Sequence, residues 1–101
     1  MLVVKGRIPV KAAELPTLLE AAAVMTADTL AEEGCLQYVL AVDAAEPLVI
    51  HLFEHWQSED ALDAHFSTDH FRSFSEVLIN AADGTADFDR YEVSSTAPLF
   101  G

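Results

Sequence analysis

Apolar and polar positions recur along the chain with two different spacings, and each spacing predicts a different kind of element. Short apolar and β-branched runs at 2–8, 35–42, 48–56 and 86–93 have the length and composition of strands. Between them, apolar residues recur every three to four positions at 12–32 and again from 58 to 82, as in amphipathic helices. The predicted element order is β-α-β-β-α-β.

Local signals refine the predicted helices. Pro16 is tolerated only in a first turn, which predicts a helix start near Ala12, and Gly34 is the expected stop. Ser58 and Thr68 each precede acidic residues in the manner of N-caps, so we expect the second helical region to break near Ser67. The pair 83–84, Asp then Gly, should end that region.

With right-handed crossovers, this order folds most simply as a ferredoxin-like α+β sandwich in which the helices cover one sheet face. The strand at 48–56 is nevertheless apolar on both faces: one face carries Leu48, Ile50, Leu52 and Trp56, and the other carries Val49 and Phe53. The strand at 35–42 repeats this pattern: Leu36, Tyr38, Leu40 and Val42 share one parity, and Cys35, Val39 and Ala41 share the other. A half-solvated antiparallel sheet should alternate with polar residues. We therefore expect the open face to be covered by a second copy, giving a two-fold homodimer, a dimeric α+β barrel.

Size and charge restrict the function. The 101 residues predict one domain, 1–101, with 94–101 as a C-terminal tail. A net charge of −12, with no Lys or Arg from 12 to 71, argues against nucleic acid and anionic membranes as partners. No apolar run approaches the roughly 20 residues of a spanning helix, and residues 1–10 lack the order of a secretion signal. A lone cysteine, Cys35, forms no internal disulfide, and a cytoplasmic protein is expected.

Four histidines raise the question of metal binding. His51 and His55 lie in a predicted strand, where four residues span roughly 13 Å, too far for one ion to be shared easily. His65 and His70 are separated by the expected helix break and form no obvious pair. Accordingly, no metal site is predicted.

His65 and Glu54 are the candidate catalytic residues. His65 lies on the apolar stripe of its helix and should face the sheet near Glu54, where an imidazole could act as a general base. Glu54 sits among apolar residues and must be paired, hydrogen-bonded or protonated, so it could equally be a structural partner for a histidine, a backbone amide or Arg90. The remaining residues expected to line a substrate pocket are Tyr38, Trp56, His70 and Phe71, although core packing alone would also explain the aromatic ones.

No phosphate loop, nucleophile elbow or helix-borne zinc motif is present, so no cofactor is predicted. A small apolar chamber with one base suits a flat hydrophobic substrate that is reactive without a cofactor. This assignment depends on which strand parity faces the helices. With the opposite parity, Glu54 and Trp56 would point into the dimer barrel, and His51 and His55 would become the pocket candidates.

The chain resembles the antibiotic biosynthesis monooxygenase domain family, which includes the quinol monooxygenases. The resemblance extends from the first strand to Val93. The residues that carry it are Glu33, Gly34, Cys35, Leu36 and Tyr38, then Glu54, Trp56, Ser58, Glu59, Ala61, Leu62, Ala64 and His65, then Thr68, His70 and Phe71, and finally Arg90, Tyr91 and Val93.

The resemblance implies oxidation of an aromatic quinol, phenol or anthrone by molecular oxygen in a dimer without a cofactor. A base removes a phenolic proton, the anion reduces oxygen by one electron, and the radicals recombine. Some relatives degrade haem, but Gly6, His65 and Ser75 occupy the positions that carry Asn, Trp and His there. Two alternatives stay open: an isomerase of a small carbonyl compound, of the kind that processes the phosphorylated autoinducer-2 sugar, and a non-catalytic dimeric module that binds an apolar ligand.

Overall fold

The protein folds around one four-stranded antiparallel sheet. The computed structural model describes residues 1–101, with strands β1 (Leu2–Pro9), β2 (Cys35–Val42), β3 (Val49–Trp56) and β4 (Asp87–Glu92). Their order across the sheet is β2-β3-β1-β4, with β1 and β3 in the centre. This order and the antiparallel pairing confirm the predicted ferredoxin-like α+β fold.

The segments between the strands form three helices: α1 (Leu15–Leu30), α2 (Glu59–Phe66) and α3 (Asp69–Ala81). The expected start at Ala12 is a short 3₁₀ turn, 12–14, and Pro16 lies in the first turn of α1 as its missing N–H requires. The predicted break at Ser67 is confirmed. The hydroxyls of Ser58 and Thr68 accept hydrogen bonds from backbone N–H groups at the starts of α2 and α3, so each helix has its own N-cap.

Strand parity decides which side chains face the helices. One face of β3 is buried and carries Ile50, Leu52, Glu54 and Trp56. On the other face, Val49 is buried, but His51, Phe53 and His55 are only partly buried. The main core joins Ile50 and Leu52 to α1 and α3 through Leu18, Met25 and Phe74, among others, whereas Trp56 packs in a second, smaller cluster. The expected orientation is therefore confirmed, and His51 and His55 lie on the open face.

One strand departs from the expected alternation. The β2–β3 register shifts between Cys35 and Gln37, and this irregularity places Cys35 opposite Trp56. Cys35 thus packs against the core, while Leu36 is 51% exposed. The prediction that Leu36 shares the face of Tyr38 and that Cys35 lies opposite was wrong, because a simple period of two does not anticipate a bulge.

The face of the sheet away from the helices has no cover within the chain. It presents Val3, Val39, Phe53 and Tyr91, together with His51 and His55, and Val39 and Tyr91 are 38% and 46% exposed. The tail, 94–101, has no regular secondary structure, and Leu99 and Phe100 are each 87% exposed. None of the helices has the length and apolar character needed to cross a lipid bilayer.

Candidate functional site

A cavity of about 360 Å³ lies between the sheet and the helices. Ten of its thirteen lining residues are hydrophobic, and the polar ones are Glu54, His65 and Ser75. Phe66, Ile79 and Phe88 are 49%, 77% and 51% exposed and mark its rim. The other lining residues are Val4, Met25, Tyr38, Leu52, Phe71, Phe74 and Leu78. Such a mainly apolar pocket with a few convergent polar groups is typical of a small-molecule site.

Gly6 in β1 shapes one wall of this cavity. A Cβ at position 6 would lie 2.8 Å from two ring carbons of Phe88, its neighbour on β4. The absence of a side chain at Gly6 therefore lets the Phe88 ring lie across β1 and close one side of the pocket. Phe88 was not predicted as a site residue, since its place depends on this cross-strand approach.

His65 is the buried polar residue at the centre of the site. It projects from the last turn of α2 and is only 1% exposed. Its Nδ1 lies 2.6 Å from Oε2 of Glu32, and its Nε2 lies 3.9 Å from Oε1 of Glu54. The hydroxyl of Thr68 donates a hydrogen bond to the His65 carbonyl, which fixes the end of the helix that carries the imidazole.

Glu32 is a site residue that the sequence analysis missed. It follows the end of α1 and places one oxygen, Oε2, 2.6 Å from Nδ1 of His65 and 2.8 Å from Nε2 of His70. His65 and His70 were not expected to be an obvious pair, yet the turn between α2 and α3 brings both rings onto the Glu32 carboxylate. No local sequence signal distinguishes Glu32, because its contacts with the two histidines depend on where the ends of separate helices meet.

Glu54 is held in an unusual environment for a carboxylate. It is 5% exposed, and Oε1 accepts a hydrogen bond of 2.9 Å from Nε1–H of Trp56. Burial raises the pKa of Glu54; the Trp56 hydrogen bond opposes this increase, and the negative charge of Glu32 adds to it. Burial also lowers the pKa of His65, against the opposite influence of the Glu32 hydrogen bond and charge.

Tyr38 and Phe71 both line the cavity, as the sequence analysis expected of pocket residues. The Tyr38 hydroxyl makes no hydrogen bond within the chain, and burial, assisted by the charge of Glu54, raises its pKa so that it remains a phenol at neutral pH. The edge of Phe71 packs against His65 with ring centroids 5.2 Å apart. These two residues supply an apolar wall and one hydroxyl donor.

Trp56 and His70 do not line the cavity, although they were expected there. Trp56 is fully buried behind Glu54, with its ring centroid 4.9 Å from that of His65. His70 lies on the far side of Glu32 with 22% of its side chain exposed. Both residues therefore contact the acid and base groups instead of the space where a ligand would lie.

The arrangement is suited to proton transfer at His65. Because the carboxylate of Glu32 can only accept, the proton of a neutral imidazole lies on Nδ1 and leaves a lone pair on Nε2. The second nitrogen faces Glu54 at the cavity wall. Glu32 and His65, together with His70, also offer ligand atoms that all lie within 4.8 Å of one another.

Comparison with solved structures supports the fold. A conserved protein from Methanosarcina mazei matches with a TM-score of 0.85 and 26% identity over 89% of each chain. A conserved Bacteroides thetaiotaomicron protein, described as a candidate oxidoreductase, matches with a TM-score of 0.84 and 26% identity over 91% of this chain and 96% of that one. A candidate antibiotic biosynthesis monooxygenase from Deinococcus radiodurans has a TM-score of 0.88 and 22% identity over the whole of both chains.

Sequence comparison identifies the family. No curated protein gives a significant match. The family model described as antibiotic biosynthesis monooxygenase matches residues 1–77, which include β1–β3, both carboxylates of the site and both of its histidines. This chain therefore belongs to the antibiotic biosynthesis monooxygenase family.

Proposed function

We propose that the protein is a cofactor-independent monooxygenase that oxidises an aromatic quinol, phenol or anthrone with molecular oxygen. The observation that carries this proposal is His65, a buried imidazole held through Nδ1 by Glu32 and facing an apolar cavity. Family membership supports an activity of the monooxygenase type. The substrate class is the one that the resemblance to the quinol monooxygenases implies, and the mainly apolar lining of the cavity supports it.

In the proposed reaction, His65 is the base. Its Nε2 accepts the hydroxyl proton of a substrate in the cavity, and the resulting imidazolium lies between the carboxylates of Glu32 and Glu54. Two flanking carboxylates stabilise that cation, while burial keeps the resting imidazole neutral near pH 7. Glu32 lies outside the cavity lining and acts as a positioning residue for the base.

The deprotonated substrate supplies the electrons. The anion transfers one electron to oxygen, and the substrate radical and superoxide combine to form a carbon–oxygen bond. The carbon that carries the peroxide then loses its C–H proton as the O–O bond breaks, so one oxygen atom stays in the product as a carbonyl. The other oxygen takes up that proton and the proton held by His65 and leaves as water. The protein contributes the base, orientation and exclusion of bulk water from a cavity in which apolar O₂ is readily accommodated.

The cavity lining favours an uncharged aromatic substrate over a phosphorylated sugar. No Lys or Arg lines the cavity, so a phosphate would have no cationic partner there. Phe66, Phe71 and Phe88 instead offer ring surfaces on which a flat aromatic molecule can pack. The isomerase alternative for a phosphorylated compound thus has less support from the site.

We also propose that the protein functions as a homodimer joined through the open sheet face. Apolar side chains on this face, including Val39, Phe53 and Tyr91, have no cover within the chain. In addition, Nε2 of His55 is shielded from solvent and has no hydrogen-bond partner in the single chain. Packing of two such sheets would cover the face. Light scattering at micromolar concentration should give twice the chain mass of 11.0 kDa.

Oxygen uptake by chelator-treated protein, with a panel of reduced naphthoquinols and anthrones, tests the proposed activity. We expect uptake above the buffer rate, and a loss of about a hundredfold in turnover in His65→Ala, within the range for removal of a general base. His51→Ala is the matched control, because His51 lies on the other sheet face. A loss of less than about tenfold in His65→Ala would remove His65 as the base. No uptake with any substrate would overturn the monooxygenase proposal and favour ligand binding or isomerisation.

A further inference from the structure

The cluster of Glu32, His65 and His70 combines residue types that bind transition metals. Imidazole nitrogens and a carboxylate oxygen are the donors of many three-residue zinc sites, with water as the fourth ligand. We propose that this cluster binds a divalent transition-metal ion of the zinc type and that the bound ion switches off His65 as a base. The second half of this inference rests on the proposed function, whereas metal binding itself does not.

The positions of the three donors fit one small ion. Oε2 of Glu32 lies 2.6 Å from Nδ1 of His65 and 2.8 Å from Nε2 of His70, and all donors lie within 4.8 Å of one another. Around a tetrahedral zinc ion with bonds of about 2.1 Å, donors are roughly 3.4 Å apart. Movement of the Glu32 oxygen away from the two nitrogens by about 0.6 to 0.8 Å would therefore open these contacts enough for the ion.

The cluster has an approach route that is separate from the cavity. A groove between α1 and α3 is lined by His70 and by two further carboxylates, Asp28 and Asp69. The side chain of His70 is 22% exposed, and the chain carries a net charge of −12. Such a charge distribution attracts cations, and the acidic groove leads them to the exposed edge of the cluster.

A bound ion would act on the base through the imidazole ring. Of the three ligands, only His65 lines the cavity, so the ring separates the ion from any substrate. Coordination through Nδ1 requires a lone pair on that nitrogen, so the proton of the neutral ring moves to Nε2. Nε2 then has no lone pair to accept a substrate proton. The ion would thus inhibit turnover without touching the substrate.

Metal binding is tested by titration of chelator-treated protein with Zn²⁺ in competition with a chromophoric chelator. We expect one ion per chain, and affinity reduced by about tenfold or more in His70→Ala and in Glu32→Gln. His51→Ala is the matched histidine control and should bind Zn²⁺ as the unmodified protein does. Equal affinity in all four proteins, or no binding, would overturn the metal site whether or not the protein consumes oxygen. Circular dichroism of each variant identifies any that fails to fold, in which case His70→Gln replaces His70→Ala.

The effect on His65 is tested separately by nitrogen NMR of the imidazole. Without metal, the His65 proton should lie on Nδ1, and one equivalent of Zn²⁺ should move it to Nε2. A proton that stays on Nδ1 would overturn the coupling even if the protein has no oxygenase activity. With an active substrate, Zn²⁺ should inhibit uptake and a chelator should restore it, while His70→Ala should be less inhibited relative to its own metal-free rate. Activation by Zn²⁺ would contradict the inference.

Discussion

The surroundings of Glu54 disfavour a charge on its carboxyl group, and this has a measurable consequence for stability. Burial raises its pKa above the usual value, so the folded protein holds the proton more tightly than the unfolded chain does. The free energy of unfolding should therefore fall as the pH rises from about 4 through the raised pKa. Glu54→Gln removes the charge but keeps an oxygen for the Trp56 hydrogen bond, and we expect it to unfold at higher urea concentration than the unmodified protein at pH 7.

The pH dependence separates this explanation from a general effect of the substitution. The stabilisation by Glu54→Gln should shrink as the pH approaches 4, where the unmodified carboxyl is already protonated. Glu76→Gln is the matched control, since Glu76 is exposed on α3 and makes no ion pair. A Glu54→Gln protein that is less stable than the unmodified one at pH 7 would show that the ionised carboxylate stabilises the fold.

Glu32 should influence the rate without influencing substrate binding. It bonds to His65 but does not line the cavity. In chelator-treated Glu32→Gln, we expect kcat to fall by about tenfold or more, because a neutral partner stabilises the imidazolium less well. KM should stay within about twofold, since no cavity contact changes. A parallel change in KM would instead indicate that the substitution deforms the pocket.

The two catalytic candidates illustrate how far single residues could be assigned from sequence. His65 was predicted from helical periodicity and Glu54 from strand alternation, and both patterns are local. Glu32 was not predicted as a site residue, because its contact with His65 joins residues 33 positions apart across the turn after α1. Such a contact depends on where two helix ends meet, which neither periodicity nor spacing specifies.

At the scale of elements, Gly34 connects the end of α1 to β2 and allows α2 to pack closely. Its φ is +84°, and a Cβ there would lie 2.6 Å from Cβ of Ala61 in α2. Gly34→Ala therefore combines backbone strain of about 1 to 2 kcal/mol with a steric clash. We expect it to lower the free energy of unfolding by about 3 kcal/mol, measured by urea denaturation.

Gly84 provides the matched control for this substitution. It has a similar φ of +82°, yet a Cβ there would meet nothing within 4 Å. Gly84→Ala should thus cost only the backbone strain, about 1 to 2 kcal/mol, and the difference between the two variants measures the contact with Ala61. Equal losses in both variants would mean that α2 moves aside freely.

The β2–β3 hairpin should be sensitive to acid. Asp43 accepts hydrogen bonds from the backbone N–H groups of Ala45 and Glu46, and its other oxygen lies 2.6 Å from Nε2 of His51. The His51 contact and the backbone bonds lower the pKa of Asp43 to about 2. The stabilisation is therefore fully present above about pH 4 and is lost as the pH falls toward 2.

Asp43→Asn tests this dependence, because an amide retains a side-chain oxygen for the turn but carries no charge. Thermal unfolding at a series of pH values should show a lower Tm for the variant at pH 7. The two melting curves should converge near pH 2, where Asp43 of the unmodified protein is protonated. A constant difference in Tm across this range would contradict a role for the Asp43 charge.

Sequence pattern was sufficient for the elements because each has a local cause. The strands begin and end within one residue of the predicted limits at β2, β3 and β4, and the helix break follows from the cap at Thr68. The departures have physical reasons as well. Pro16 leaves a 3₁₀ turn before α1, and the bulge near Cys35 depends on pairing with Trp56, a residue distant in sequence.

At the scale of the whole molecule, the two sheet faces have different roles. The helix-covered face holds the core and the cavity, and the open face carries apolar residues that the single chain leaves partly exposed. A net charge of −12 opposes association of two copies, so apolar burial must provide the attraction. Dimerisation through this face should consequently strengthen as salt screens the repulsion.

Two valines allow a matched test of that interface. Val39 is 38% exposed on the open face, whereas Val24 is 60% exposed on α1. Each can be changed to Asp, which adds one negative charge to an already acidic protein. We expect Val39→Asp to be a monomer at about 10 µM, because a buried carboxylate without a partner would cost several kcal/mol at the interface. Val24→Asp should remain a dimer by light scattering. Equal masses for both variants would show that the open face does not join the two copies. The face could then bind a different protein.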